Sequence, residues 1–377
     1  MSEPLDLGST IPGGGPPGRP GRARPAYHLV LVEGEPLRRA VALSGERLVL
    51  GRDPARPFHL SDPRISRAHC EVWVERQRVH VRDLGSTNGT FLDGGRVEGE
   101  RMLSTGALLQ VGRYSLRVEL LAPEEAARLE DAARDLVRAR RYVEELIPPP
   151  LGTGPVRTEW CFVPSAALGG DALGYGGLPG GGFAAYVLDV CGHGTGSAMH
   201  AATVLNVLRA RTLPDTDFAD PAQVLTRLNA AFPMESHAGM FFSLWYGVLD
   251  PASGALRYAS AGHPPALRRP AGGGALERLG LKAPPIGTRA GQAYAGAEAR
   301  LAAGDRLYVF SDGVYEVAAA DGRELQLEDF EARLAAVPAP GDGEAAALYA
   351  AACADAGTTL DDDFTLLVVT PSGAAAA

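Results

Sequence analysis

Three consecutive prolines, Pro148, Pro149 and Pro150, divide this chain, because no helix or central strand runs through residues that lack a backbone N–H and fix φ. What folds on either side must therefore be built separately. A length of 377 residues allows two or three such units. Just upstream, residues 123–147 carry Leu129, Leu136 and Val143 seven apart, with Ala132, Ala139 and Leu146 at the three-residue offset. This predicts one helix with a narrow apolar seam, Pro123 in its first turn and the prolines as its stop. The seam suits either a single helix lying on a neighbouring domain or a two-stranded connector, so a homodimer through residues 124–147 is an expectation.

Residues 27–121 have a different period. Cys70, Val72 and Val74 alternate with Glu71, Trp73 and Glu75, Val79 and Val81 continue the inward set, and Tyr114, Leu116, Val118 and Leu120 repeat it. Short alternating runs broken by Gly, Asp, Pro and Ser predict an all-β sandwich. Beyond the prolines, segments 184–190, 241–249, 256–260, 306–310 and 364–369 read as strands. Segments 197–211, 221–232 and 344–354 read as helices, the second capped by Asp220 with Pro221 at its first position. Strand pairs without a regular strand-helix-strand alternation predict an α+β layered domain over about 155–371. Residues 1–25, rich in Gly, Pro and Arg, predict a disordered tail.

Composition removes several function classes. The 36 basic and 45 acidic residues give a net charge of −9 with no long block of one sign, which argues against a nucleic-acid binder. Lys282, the sole lysine, precedes Ala283 and fits neither a Walker-A loop nor a kinase strand. Cys70, Cys161, Cys191 and Cys353 are scattered, so neither a zinc clip nor a disulfide framework is indicated. Cys70 and Arg76 have the spacing of a thiolate phosphatase, but the residues between them alternate as a strand rather than forming a phosphate-cradling loop. No apolar run reaches the roughly 18 residues of a membrane span and no signal-peptide core opens the chain, so a cytoplasmic protein without membrane contact is expected.

Polar clusters interrupt the sandwich at Gly51-Arg52, at Ser66-Arg67-Ala68-His69 and from Asp83 through Asn88-Gly89 to Phe91. Loops gather at the ends of a sandwich, where guanidinium, hydroxyl and amide groups together suit a phosphorylated side chain and its peptide backbone. In this order the clusters resemble the forkhead-associated (FHA) domain over residues 27–121. The resemblance implies binding without catalysis. Arg52, Ser66 and Thr87 would contact phosphothreonine in a partner protein, Arg67 would assist, Asn88 would hold the peptide backbone, and His69 would brace the loops.

After the prolines come four acidic signatures: Gly169-Gly170-Asp171, Asp189-Val190-Cys191-Gly192-His193-Gly194, Ser311-Asp312-Gly313, and Asp361-Asp362-Asp363-Phe364-Thr365. Carboxylates at strand ends that meet in one cleft call for hard divalent cations, magnesium or manganese rather than zinc. Two such ions about 3.5–4 Å apart would orient hydroxide for in-line attack on a phosphate ester. With Ala261-Gly262-His263-Pro264-Pro265 and Pro285-Ile286-Gly287, these signatures resemble the bacterial SpoIIE/RsbU-like branch of the PPM (PP2C-type) serine/threonine phosphatases. The resemblance implies an αββα fold and two or more Mn²⁺ or Mg²⁺ ions held by Asp171, Asp189, Asp312 and Asp362. Asp189 would bridge the ions and the Val190 carbonyl would add a ligand. It also implies a phosphoserine or phosphothreonine protein as substrate, typically an anti-sigma-factor antagonist. Gly174 stands where members often carry a further acid, and Cys191 where serine is usual. The whole chain thus reads as a phosphatase addressed by an FHA module in bacterial partner switching or Ser/Thr kinase signalling. The rival reading is a catalytically silent phosphoprotein adaptor.

Overall fold

The computed structural model describes the chain except residues 1–23, 34–38, 57, 61, 63, 166, 193, 320–321, 337–342, 358–359 and 373–377. His193 and all of the expected tail but Arg24 and Pro25 lie outside the described residues.

The N-terminal unit has strands β1 (Ala26–Glu33), β2 (Ala40–Ala42), β3 (Leu48–Gly51), β4 (Phe58–His59), β5 (Cys70–Glu75), β6 (Arg78–Asp83), β7 (Thr90–Leu92), β8 (Gly95–Arg96), β9 (Glu100–Leu103), β10 (Leu108–Val111) and β11 (Tyr114–Leu121). They form a sandwich of two sheets, ordered β2-β1-β11-β10-β7-β8 and β4-β3-β5-β6-β9. Leu29, Leu50, Val72, Val81, Leu109 and Leu116 fill the space between the sheets. On β5 Cys70 and Val72 of the expected inward set are buried and Val74 is half-buried, but the outward residues Glu71 and Trp73 are buried too. The Arg47 guanidinium lies 4.0 Å over the Trp73 ring, His80 stacks on that ring at 5.4 Å, and Arg47 and Arg82 both pair with Glu71. Charged side chains with long stems thus cover a face whose polarity alone reads as solvated.

Helix α1 (Pro123–Leu146) begins and ends as its prolines dictate. Near its start, Ala126 and Leu129 pack with Val30 and Leu121 of the sandwich. At its end, Val143 and Leu146 join the C-terminal core, while Val137 and Tyr142 are exposed. The prolines that follow are held firmly. The Trp160 Nε1–H donates to the Pro148 carbonyl at 3.0 Å, and the Tyr175 hydroxyl lies 2.9 and 2.8 Å from the carbonyls of Pro148 and Pro149.

The C-terminal unit runs β12 (Val156–Val163), β13 (Asp171–Gly177), β14 (Phe183–Val190), α2 (Thr195–Ala210), α3 (Pro221–Ala231), β15 (Phe242–Leu249), β16 (Ala255–Ala261), β17 (Ala266–Arg269), β18 (Glu277–Leu279), β19 (Ala297–Arg300), β20 (Arg306–Phe310), α4 (Leu327–Ala336), α5 (Glu344–Ala356) and β21 (Phe364–Pro371). One antiparallel sheet is ordered β13-β14-β15-β16-β19 and the other β12-β21-β20-β17-β18. Val187, Trp245, Val309 and Leu367 fill the layer between them. Leu205 and Leu225 cover the outer face of the first sheet, and Phe330 and Leu348 that of the second. The result is the expected αββα stack, built because each sheet buries both faces.

Candidate active site and phosphopeptide pocket

The strands bring the predicted acids together. Asp171 and Asp189 face each other at the end of the β13–β14 ladder. On the other sheet, Asp312 opens a 3₁₀ turn directly after β20, and Asp362 sits just before the adjacent strand β21. Asp189, Asp312, Asp361 and Asp362 line a cleft of about 820 Å³ together with Cys191 and Glu316. No lysine or arginine stands among its described lining residues. Asp171 lies behind this wall, 1% exposed, with Oδ2 lacking a hydrogen-bond partner.

Crowding without a cation shifts the acids. Burial, then the charges of Asp189 and Asp363, raise Asp171 well above the usual carboxylate range. Burial with Asp312, Asp362 and Asp363 pushes Asp189 up to about 7, and burial with Asp362 and Glu316 pushes Asp312 up to about 6. Among the described residues, the trio with ligand atoms mutually within 4.8 Å is Glu75, His80 and Glu100 on the sandwich. No three of the described cleft acids meet that spacing. An orphaned buried oxygen, oxygen-only donors and an uncompensated negative cluster fit magnesium or manganese.

By sequence the ligand assignment could slip from Asp362 to Asp361 or Asp363, and the structure separates Asp362 from Asp363. Asp363 is buried, its Oδ1 accepting from the N–H and Oγ of Ser165 at 2.7 and 2.8 Å and its Oδ2 from the Asp171 N–H at 3.3 Å. It staples the loop before β13 to the start of β21. A side chain on Gly169 would lie 2.2 Å from that carboxylate, so glycine is required there. Asp362 stays exposed in the cleft, its Oδ1 accepting from the Asp363 N–H at 2.8 Å. Val190 is buried, its N–H donating to the Gly170 carbonyl at 3.2 Å. Cys191 is tied to Phe241, whose N–H donates to Sγ at 3.3 Å and whose carbonyl accepts the Cys191 N–H at 3.0 Å. At Gly174 an added Cβ would meet the Tyr186 hydroxyl at 2.5 Å, so Tyr186 occupies the space a further acid would need. His263 is absent from the cleft lining; its Nδ1–H donates to the Pro264 carbonyl at 2.9 Å.

At the sandwich end, Arg52, Ser66, Arg67, Thr87 and Asn88 line a depression of about 330 Å³. Arg64 and Ile65 complete it. Sequence reading missed Arg64, although a third arginine two residues before Ser66 was the available signal. The Thr87 N–H donates to Ser66 Oγ at 3.2 Å, and Asn88 Nδ2 donates to the Arg64 carbonyl at 2.7 Å. His69, fully buried, accepts the Ser66 N–H at Nδ1 (3.2 Å), which leaves Nε2–H to donate to the Gly89 carbonyl at 3.1 Å. The imidazole thereby joins two of the three loops.

The family described as Stage II sporulation protein E (SpoIIE) matches residues 179–372, and the FHA domain family matches residues 48–112. The first match contains Asp189, Asp312 and Asp362 but begins after Asp171, which only the strand pairing adds. Phosphoserine phosphatase RsbP of Bacillus subtilis is 27% identical over 187 residues, 48% of this chain and 45% of that protein. The FHA domain-containing protein FhaB of Mycobacterium tuberculosis is 29% identical over 97 residues, 26% of this chain and 63% of that one. This chain therefore spans less than two thirds of either curated relative. The SiaA-PP2C domain of Pseudomonas aeruginosa superposes with a TM-score of 0.57 at 21% identity, covering 65% of this chain and 99% of that domain, a likeness of fold. No helix among the described residues is long and apolar enough to cross a membrane.

Proposed function

Because the chain belongs to the SpoIIE family of PP2C-type phosphatase domains and carries an FHA domain before it, we propose that it is a metal-dependent protein serine/threonine phosphatase directed to phosphothreonine-bearing partners. The observation that carries this reading is the meeting of acids from both sheets at one cleft, with the Asp171 Oδ2 buried and unsatisfied behind it. Asp171, Asp189, Asp312 and Asp362 would hold two Mn²⁺ or Mg²⁺ ions, with the Val190 carbonyl beside them. Asp189 would be the ligand shared between them, because its charge raises Asp171 while the charges of Asp312 and Asp362 raise its own carboxyl. Bound there, the ions supply Lewis acidity to a phosphate ester and its attacking water.

The remaining work falls to the chain. Asp363, locked by Ser165, fixes the backbone of Asp171 before any ligand arrives. No guanidinium stands among the described lining residues of the cleft. Arg52, Ser66, Arg67, Thr87 and Asn88 serve as the phosphothreonine address at a separate surface. The name of one relative, a phosphoserine phosphatase, supports a phosphoserine protein as substrate, and the resemblance to the SpoIIE/RsbU-like branch makes it one of the anti-sigma-factor-antagonist kind, in partner switching.

A phosphate-release assay on phosphoserine and phosphothreonine proteins tests this on the intact chain. Release should vanish in chelator, return with Mn²⁺ or Mg²⁺, and fall by about 10²-fold or more in Asp312→Asn with an unchanged circular dichroism spectrum. An unaltered rate in that variant would remove the metal assignment. A folded wild-type chain that stays inactive in every metal would favour the silent adaptor.

A further inference from the structure

The outer face of the sandwich sheet β4-β3-β5-β6-β9 carries a donor set distinct from the acidic cleft and the phosphopeptide pocket. On that face the register sets Arg82 between Glu71 and Glu100, His80 between Trp73 and Met102, and Arg78 opposite Glu75. Opposite charges directly across a ladder ordinarily pair, so each glutamate has an arginine placed to receive it. Only Glu71 is received. Arg82 turns to it at 2.6 Å and Arg47 joins them, while Arg78 directs Nη1 at the Met102 sulfur at 3.5 Å. Glu75 and Glu100 converge instead on His80, with one oxygen of each and a ring nitrogen all within 4.8 Å of one another.

Two carboxylates so close together call for a positive charge between them. An imidazolium would supply it by donating Nδ1–H to Glu100. The geometry is different: Glu100 Oε1 stands 2.9 Å from Nδ1, yet Nδ1 is shut away from solvent and makes no hydrogen bond. The oxygen therefore lies off the line along which this nitrogen's proton or lone pair points. That is where a second ligand stands beside a nitrogen on a shared ion. The imidazole is also held in place. Its ring stacks on Trp73 with centroids 5.4 Å and planes 18° apart, and Trp73 is itself buried beneath the Arg47 guanidinium at 4.0 Å. A ligand whose orientation is fixed by packing is ready for a metal before it arrives.

We propose that Glu75, His80 and Glu100 bind a zinc ion on the outer face of the sandwich. One imidazole and two carboxylates make the three protein ligands of a four-coordinate zinc whose fourth place is left to water. Tetrahedral bonds of about 2.0–2.2 Å set neighbouring donors roughly 3.4 Å apart, a spacing that rotation of the two exposed glutamates reaches. The nitrogen donor separates this site from the oxygen-only cleft, because imidazole suits zinc whereas magnesium takes oxygen. Glu75 is five residues along β5 from Cys70, roughly 17 Å of strand from the loop that carries Ser66, so the ion and a bound peptide do not compete. Since β9 is the edge strand of its sheet, the ion ties that edge to β5 and β6.

Calorimetric titration of the intact chain with zinc, in excess magnesium to fill the acidic cleft, tests the site. One zinc equivalent is expected in the wild type that disappears in His80→Phe, which keeps an aromatic ring on Trp73 and removes the ring nitrogen. Glu75→Gln and Glu100→Gln, both at exposed positions, should each weaken that equivalent about 10-fold or more. Asp312→Asn, which impairs the cleft, should retain it. Zinc should also raise the unfolding temperature of the wild type more than that of His80→Phe. An equal zinc stoichiometry in folded His80→Phe, an affinity unmoved by Glu75→Gln or by Glu100→Gln, or displacement of this equivalent by magnesium would each overturn the proposal.

Discussion

His263 keeps its Nδ1–H on the Pro264 carbonyl while Nε2 is buried without a partner. Burial outweighs the bond to Pro264 and pushes its pKa down from 6.5 to about 4. The unfolded chain therefore takes up this proton near pH 6.5, whereas the folded chain resists until about pH 4. Stability must fall as pH drops through that window, by an amount on the order of 3 kcal/mol from this residue. Asp189 acts in the opposite sense when metal-free, because its raised pKa makes proton uptake favour the fold. Comparing thermal unfolding of the wild type and His263→Gln from pH 4 to 7 isolates the histidine. The variant should lose less stability on acidification, and parallel curves would mean that His263 titrates normally.

Elements differ in how plainly the chain announces them. The apolar strands β14, β15, β20 and β21 and the capped helix α3 are legible to within two residues, since hydrophobic runs and the Asp220 side chain act locally, the latter accepting from the N–H groups of Ala222 and Gln223. Strand β13 is not legible. Its sequence, Asp171 to Gly177 with three glycines, has poor strand propensity and is extended because β14 pairs with it along its length. The same reason hides Asp363. Which of three consecutive acids turns inward depends on Ser165, 198 residues away. The seam of α1 also has two readings, and the exposure of Val137 and Tyr142 between its packed ends leaves apolar surface for a second copy. A dimer connector predicts a mass of twice 39.4 kDa by sedimentation equilibrium, returned to 39.4 kDa by Leu136→Glu. A monomeric wild type would assign the seam to packing within one chain.

At the scale of the molecule, the sandwich core and the αββα cores are separate clusters, and α1 joins one of the latter while meeting the sandwich only through a small cluster with Val30 and Leu121. Ligands that bind one folded unit stabilise that unit by mass action. Calorimetry should therefore resolve two transitions, one raised by Mn²⁺ and the other by a phosphothreonine peptide. Arg52→Ala should cancel the peptide response and leave the manganese response intact. One shared transition moved by both ligands would instead mean that the two units melt cooperatively.

The hydrogen bonds to Pro148 and Pro149 give that connection a mechanical character. Tyr175, which grips both carbonyls, lies on β13 four residues from Asp171. The helix therefore ends in a fixed joint and not in a slack hinge, because the two carbonyls that follow it are held by the very strand that presents a proposed metal ligand.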